Sequence, residues 1–496
     1  MLAAVNASLP VRIARPVRDH ALGVTRREFF GRTATGIGTA ALASLLTRDG
    51  HAAGRIDGHE SLPHFTPRAK RVIYLFQNGG PTHVDLFDYK PKLKEMHGQP
   101  VPAEYIGDKR FSTMTGAASG KSILAPIEPF ARRGKCGAWV SDLLPHTAAI
   151  VDDLCFIHSL NGSSVNHAPA IQFLLSGAEL PGRPTVGAWL SYGLGTENDT
   201  LPTYCVMTSA SPGTSCGQIF YDFYWGNGFL PSRFQGVKFR GSGDPVLYLD
   251  NPPGISRSMR RAALDDLARL NELKLAAYGD PEIATRIAQY EMAFKMQASV
   301  PELTDLRDET EETLSLYGPE VRKPGTYAYN CLMARRLAER GVRFVQVMHA
   351  GWDQHGTLTT ELYTNCKQTD QPSAGLVQDL KRRGLLEDTL VVWSGEFGRT
   401  PFIQGDITNR GSWGRDHHPY AFTLWMAGGG VKAGFSHGES DDLGFNVALD
   451  GVHVHDFQAT LMHLMGIDHE RLTYRFQGRD FRLTDVHGRV VEQILA

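Results

Sequence analysis

None of the six cysteines, at 136, 155, 205, 216, 331 and 366, falls in a CxxC pair, so neither a zinc ribbon nor a dithiol redox motif is indicated. Their scatter leaves room for one or two disulfides in an exported protein. The chain also lacks a charge excess. Its 51 basic and 53 acidic residues leave −2, which gives no electrostatic footprint for nucleic acid or an anionic membrane surface. Past the N-terminal region there is no apolar run long enough to cross a bilayer. Internal repeats and low-complexity tracts are missing as well. What remains is an ordinary globular composition over 496 residues, which admits one large α/β domain with insertions or two or three smaller domains.

The N-terminal region reads as a targeting segment. Thr25-Arg26-Arg27-Glu28-Phe29-Phe30 looks like a twin-arginine signal, followed by a small-residue apolar stretch at 33–46 and a candidate cleavage point in His51-Ala52-Ala53-Gly54. The expected organisation is a signal peptide at 1–53, a linker at 54–67 and one folded domain at 68–496. Such a protein would leave by the twin-arginine export machinery for the periplasm or beyond, with no stable membrane span after cleavage. That route usually carries folded proteins, often with a cofactor in place.

The mature chain opens on Arg71-Val72-Ile73-Tyr74-Leu75-Phe76, bounded by Asn78-Gly79-Gly80-Pro81, which reads as a buried parallel strand ending in a tight loop. Strand-like runs recur at 154–158, 203–207, 245–249, 342–347, 389–393 and 421–426, with helical patterns at 324–340 and 373–386. The alternation predicts a mostly parallel central sheet with helices on both faces. Residues 256–320 are charged and helix-periodic, and read as a helical insertion. The Gly- and aromatic-rich stretch at 213–243 reads as a long ordered loop near a pocket mouth. Asp456 is placed to cap a helix at 457–465 that Gly466 closes.

Three deposits of chemistry-bearing residues adjoin these strands. Asp353 and His355 follow the run at 342–347, Glu396 follows 389–393, and His417 and His418 precede 421–426. Ligands in α/β proteins bind in the crevice beyond the carboxyl ends of strands, and this mixture of carboxylate and imidazole suits one or more divalent cations such as Zn, Mn, Ca or Mg. His417 and His418 point in different directions, so one of the two is expected in the ligand set. Arg399 is placed either to hold an anionic substrate oxygen by a bidentate contact or to form a surface salt bridge. His453 and His455 are expected to be structural, and Trp352 and Trp413 to be pocket walls or core.

A family resemblance rests on longer stretches. Pro145-His146-Thr147, Leu154-Cys155-Phe156 and Ser163 through His167 to Leu174-Leu175-Ser176-Gly177 resemble the sulfatase segment that leads into the nucleophile and its helix. Residues 389–399, TLVVWSGEFGR, resemble the sulfatase and alkaline phosphatase strand that ends in metal ligands. Together with Asn78-Gly79-Gly80-Pro81-Thr82-His83-Val84-Asp85 and Trp352-Asp353-Gln354-His355, the chain from about residue 68 to its end resembles the DUF1501 family of bacterial exported proteins. That family is similar to the alkaline phosphatase and sulfatase superfamily.

The resemblance implies an alkaline phosphatase-like α/β fold and metal-dependent hydrolysis of a phosphate or sulfate ester, small-molecule or polysaccharide. It places Asp353, His355 and one of His417 or His418 at one metal position, with Glu396 and Asn78 near a second. Phe397 stands where the superfamily has a second-metal histidine, and Gln77-Asn78 where sulfatases have paired aspartates; Asp85 is the candidate to compensate, and His83 a lesser one. His167 falls at the nucleophile position. A histidine attacks phosphorus or binds a metal but cannot become formylglycine, which excludes the standard sulfatase mechanism. Ser163 and Ser164 are alternative nucleophiles, and His167 as a plain helix cap is the structural alternative. A binding or scaffold protein that keeps the fold without turnover is the competing reading.

Overall fold

The computed structural model describes residues 59, 61–109, 111, 120–211, 220–241, 244–246 and 250–496, which fall in one compact unit, 55–496. The twin-arginine motif, Cys216 and most of the run at 245–249 lie outside the described residues.

Nine strands make the central sheet: β1 (Arg71–Asn78), β2 (Leu154–Asn161), β3 (Tyr204–Ala210), β4 (Val237–Phe239), β5 (Phe344–Ala350), β6 (Thr389–Ser394), β7 (Phe422–Ala427), β8 (Phe435–His437) and β9 (Val452–His453). Their order is β8-β2-β7-β6-β1-β5-β3-β4, with β9 also pairing β2. Every pairing is parallel except those of β7, which runs antiparallel to β2 and β6. All eight residues of β1 are buried, as a strand covered on both faces requires.

Alternate residues serve opposite faces. Ile73, Leu75, Val345, Val347 and Val391 pack into one core, while Val72, Tyr74, Phe76, Phe344 and Val392 pack into another. The principal helices are α1 (His167–Ser176), α2 (Val186–Leu194), α3 (Arg257–Tyr278), α4 (Pro281–Thr304), α5 (Glu311–Tyr317), α6 (Tyr327–Glu339), α7 (Leu358–Arg382) and α8 (Val454–Leu464). The first core is roofed by α4 to α7 and the second by α1, α2 and α8. The fold is therefore α/β, three layers around a mostly parallel sheet. The helical stretch expected at 256–320 is α3 to α5, and α3 buries only Leu264.

Three expectations need correction. Helix α7 starts at Leu358 and runs through Pro372, where the sequence suggested a start at 373; a proline also suits a first helical turn, so it imitates a beginning. The cap of α8 is His453, whose ring accepts from His455 N–H, while Asp456 sits three residues on and its carboxylate accepts His453 N–H. No disulfide forms among the described residues: Cys155, Cys205, Cys331 and Cys366 are buried thiols and Cys136 is an exposed one.

Candidate metal centre

Four donors converge at the carboxyl ends of the strands. His167, Asp353, His355 and His417 each offer one ligand atom, all within 4.8 Å of one another. Asp353 Oδ1 lies 2.8 Å from His355 Nε2 and 3.2 Å from both His167 Nε2 and His417 Nε2, and the His355 and His417 Nε2 atoms are 3.0 Å apart.

The other ring nitrogens decide what those Nε2 atoms carry. His167 Nδ1 is 2.5 Å from a carboxylate oxygen of Glu396, and His417 Nδ1 is 2.8 Å from the carbonyl of Val165. Neither oxygen has a proton to give, so both histidines donate from Nδ1, and in the neutral form each turns a lone pair inward at Nε2. His355 Nδ1 meets Gln404 Oε1 at 2.5 Å in the same way. Outer hydrogen bonds of this kind orient metal-ligating imidazoles and raise their basicity.

Electrostatics agree. The carboxylates of Asp353, Glu396 and Asp416 surround the histidines, against the one guanidinium of Arg399. Burial opposes charge on His167, but the carboxylates of Asp353 and Glu396 outweigh it and raise its pKa. Burial lowers His417 to about 4 despite Asp353, with Arg399 and His167 adding to the effect. Burial works against ionisation of Asp353, yet Arg399 and the three imidazoles hold it well below the carboxylate range.

The donor set fits a cation. Imidazole nitrogens at about 2.0–2.1 Å from a tetrahedral zinc-sized ion are about 3.3 Å from each other, close to the 2.8–3.2 Å spacings to Asp353 Oδ1. Two inward lone pairs 3.0 Å apart repel unless a proton or a metal cation lies between them.

Local backbone explains the convergence. Asp353 and His355 leave the end of β5, and Glu396 leaves the end of β6. Gly79, just past β1, has φ +119, and a Cβ there would meet Asp353 N and the Trp352 backbone at 2.8–2.9 Å, so the crossing needs glycine. Gly398–Arg399 pairs antiparallel with His417–His418. Successive side chains on such a ribbon face opposite ways, which sends His417 to the cluster and His418 away. Asn166 is the N-cap of α1, its side chain making no capping bond, and His167 is the first helical residue.

The remaining candidates lie elsewhere. His418 donates to the Phe445 carbonyl and stacks on His83 at 6.3 Å; burial lowers its pKa to about 3, so it is a neutral core residue. Asp85 is locked to Arg415 at 2.6 Å, both fully buried, and also accepts from Thr82 Oγ1 and Ile127 N–H, which leaves it no lone pair for a second metal. Arg399 is 1% exposed and its guanidinium binds Asp353 and the carbonyls of Gly79, Gly80, Trp352 and Arg415. It faces inward as a positioning residue, so neither the substrate contact nor the surface bridge expected from sequence describes it. Glu396 reaches the cluster through His167, and both its oxygens accept from Gly79 N–H, at 3.0 and 3.2 Å. Asn78 is buried one residue before Gly79, and its amide N and O have no hydrogen-bond partner among the described residues. His83 donates from Nε2 to the Gly444 carbonyl at 2.7 Å and stays outside the cluster. Ser163 hydrogen-bonds Glu179. Gln404 and Val165, which fix two of the imidazoles, carried no sequence signal at all; their roles depend on long-range folding.

The site is thus a compact three-histidine, one-aspartate cluster at the strand ends of an α/β sheet. The chain matches the family described as Protein of unknown function (DUF1501) over residues 69–495, and belongs to it. No curated protein matches the chain. Among solved structures it is similar to the PsFucS1 sulfatase from Pseudoalteromonas sp., at 13% identity over 83% of this chain and 70% of that one, TM-score 0.33. It is similar also to alkaline phosphatase from the Antarctic bacterium TAB5, at 10% identity over 81% and 98%, TM-score 0.29. A third is the phosphonate monoester hydrolase SpPMH from Silicibacter pomeroyi, at 10% identity over 65% and 68%, TM-score 0.30.

Proposed function

We propose that this protein is an exported, metal-dependent hydrolase of a phosphate or sulfate ester, with its cation held by His167, Asp353, His355 and His417. The observation that supports it most is the inward Nε2 of His167 and His417, each fixed by an acceptor that has no proton, around the carboxylate of Asp353. A bound divalent cation there supplies Lewis-acid polarisation of an ester oxygen. Glu396 holds the His167 ring and, through Gly79 N–H, ties it to the end of β1. Arg399 holds Asp353 and keeps that carboxylate ionised. His167 acts in this reading as a ligand, since its Nδ1 proton is committed to Glu396 and its Nε2 faces the other donors.

Export rests on Thr25–Phe30 as a twin-arginine signal. Among the described residues, no helix is long and apolar enough to cross a membrane.

The second reading, a non-catalytic metal-binding or scaffold protein, is favoured by the four protein ligands, a number typical of closed structural zinc sites, and by the inward commitment of Arg399. Elemental analysis of the purified protein, beside Asp353→Ala and Glu396→Ala, tests the centre. Metal in the wild type and its loss from Asp353→Ala is the expected result, and a folded wild type that takes up no Zn, Mn, Ca or Mg overturns it. Assay of aryl phosphate and aryl sulfate with each of these cations separates the readings. Turnover supports the hydrolase, and silence from a folded, metal-loaded protein supports the scaffold.

A further inference from the structure

A cavity of about 650 Å³ opens on the other side of β5 and shares no residue with the metal cluster. Its volume lies within the range of about 300–1,000 Å³ usual for small-molecule sites. His349 of β5, on the same sheet face as Val345 and Val347, lines it and is itself 1% exposed.

A defined polar chain runs through that histidine. Ser209 Oγ lies 3.0 Å from His349 Nδ1, Ser211 Oγ lies 3.0 Å from His349 Nε2, and Ser211 donates to Gln368 Oε1 at 2.6 Å. The last bond orders the others: with its proton given to Gln368, Ser211 accepts from Nε2–H, and Nδ1 accepts from Ser209. Gln368 is therefore oriented, and its Nε2 has no partner among the described residues. Lys367, the preceding residue of α7, is exposed and makes no ion pair among the described residues. Lys323 lines the cavity as well; it meets Glu320 only at 3.5 Å, with both side chains more than half exposed. Tyr327, almost fully buried, packs edge-on against His349 at 5.0 Å and holds that ring in place.

Lys323, Lys367 and Gln368 Nε2 are donors at the cavity, and its two ammonium groups stand against one carboxylate, that of Glu320. That excess of one positive charge matches a singly charged anion. We propose that this cavity binds a sugar-sized organic monoanion, a carboxylate or a sulfate ester, with Lys367 and Gln368 at its charged group. A charge-assisted contact to the anion, beside a neutral amide donor, is a usual means of such recognition.

Calorimetric titration of the full-length chain with glucuronate and with glucose 6-sulfate tests the site, with glucose as the neutral control and Lys367→Glu, Gln368→Leu and Asp353→Asn as variants. Saturable binding of one or both anions is expected. Which of them binds distinguishes carboxylate from sulfate. Lys367→Glu should weaken it by about tenfold or more, Gln368→Leu should weaken it less, and Asp353→Asn should leave it unchanged. Circular dichroism of each variant checks that it folds. The proposal is overturned if neither anion binds, if glucose binds as well as they do, or if Asp353→Asn abolishes binding while Lys367→Glu does not.

Discussion

Asp85 and Asp353 are both buried carboxylates beside an arginine, yet they are built for opposite purposes. Asp85 meets Arg415 through both oxygens, at 2.6 and 3.2 Å, and its remaining capacity is used by Thr82 and by Ile127 N–H. Such a pair is electrically closed. Asp353 gathers Arg399 and three imidazoles on one oxygen, Oδ1, while the imidazoles are already satisfied at their far nitrogens. That arrangement is crowded with acceptors facing one another and stays open to a cation. The same pairing of aspartate and arginine thus serves as a structural rivet in one place and as a ligand platform in the other.

Four experiments press on the contrast, in order of expected effect. Asp85→Ala strands a fully buried guanidinium and should cost about 3–5 kcal/mol, read from the denaturant midpoint, while the folded fraction keeps its metal. Asp353→Asn should abolish metal uptake by elemental analysis. Chelator should then lower the thermal midpoint of the wild type and not that of the variant, because only a species that binds the cation gains stability from it. Glu396→Gln keeps the shape but weakens the acceptor for His167, and a loss of about 10–100-fold in metal affinity is expected by competition with a fluorescent chelator. His418→Phe should cost about 1–2 kcal/mol for the Phe445 carbonyl left without its donor, with metal content unchanged. An Asp85→Ala protein that folds normally but loses its metal would collapse the distinction.

The deposits that were legible are those attached to strands. The runs at 342–347 and 389–393 mark β5 and β6, and their position alone puts Asp353, His355 and Glu396 at the carboxyl edge. His417 against His418 was undecidable in sequence, because the choice is made by the ribbon with Gly398–Arg399, a pairing across a loop. Asp85 misled for a related reason: it stands near a strand end as a ligand would, but its partner Arg415 is 330 residues away. Arg399 looked like a substrate contact since nothing local reveals that the Gly79, Gly80 and Trp352 carbonyls surround it. His167 was flagged by resemblance as nucleophile, ligand or cap, and the position of Glu396 now argues for the ligand role.

The bond between His167 and Glu396 joins residues 229 apart, and the other donors arrive on two further stretches of chain, one carrying Asp353 and His355 and the other His417. A cation bound there would act as a clasp on a long loop, and closing long loops is where a cross-link stabilises most in principle. The donors meet only after β1, β5 and β6 are side by side. A cation taken up there would load after folding, and would test a finished sheet rather than help to assemble one.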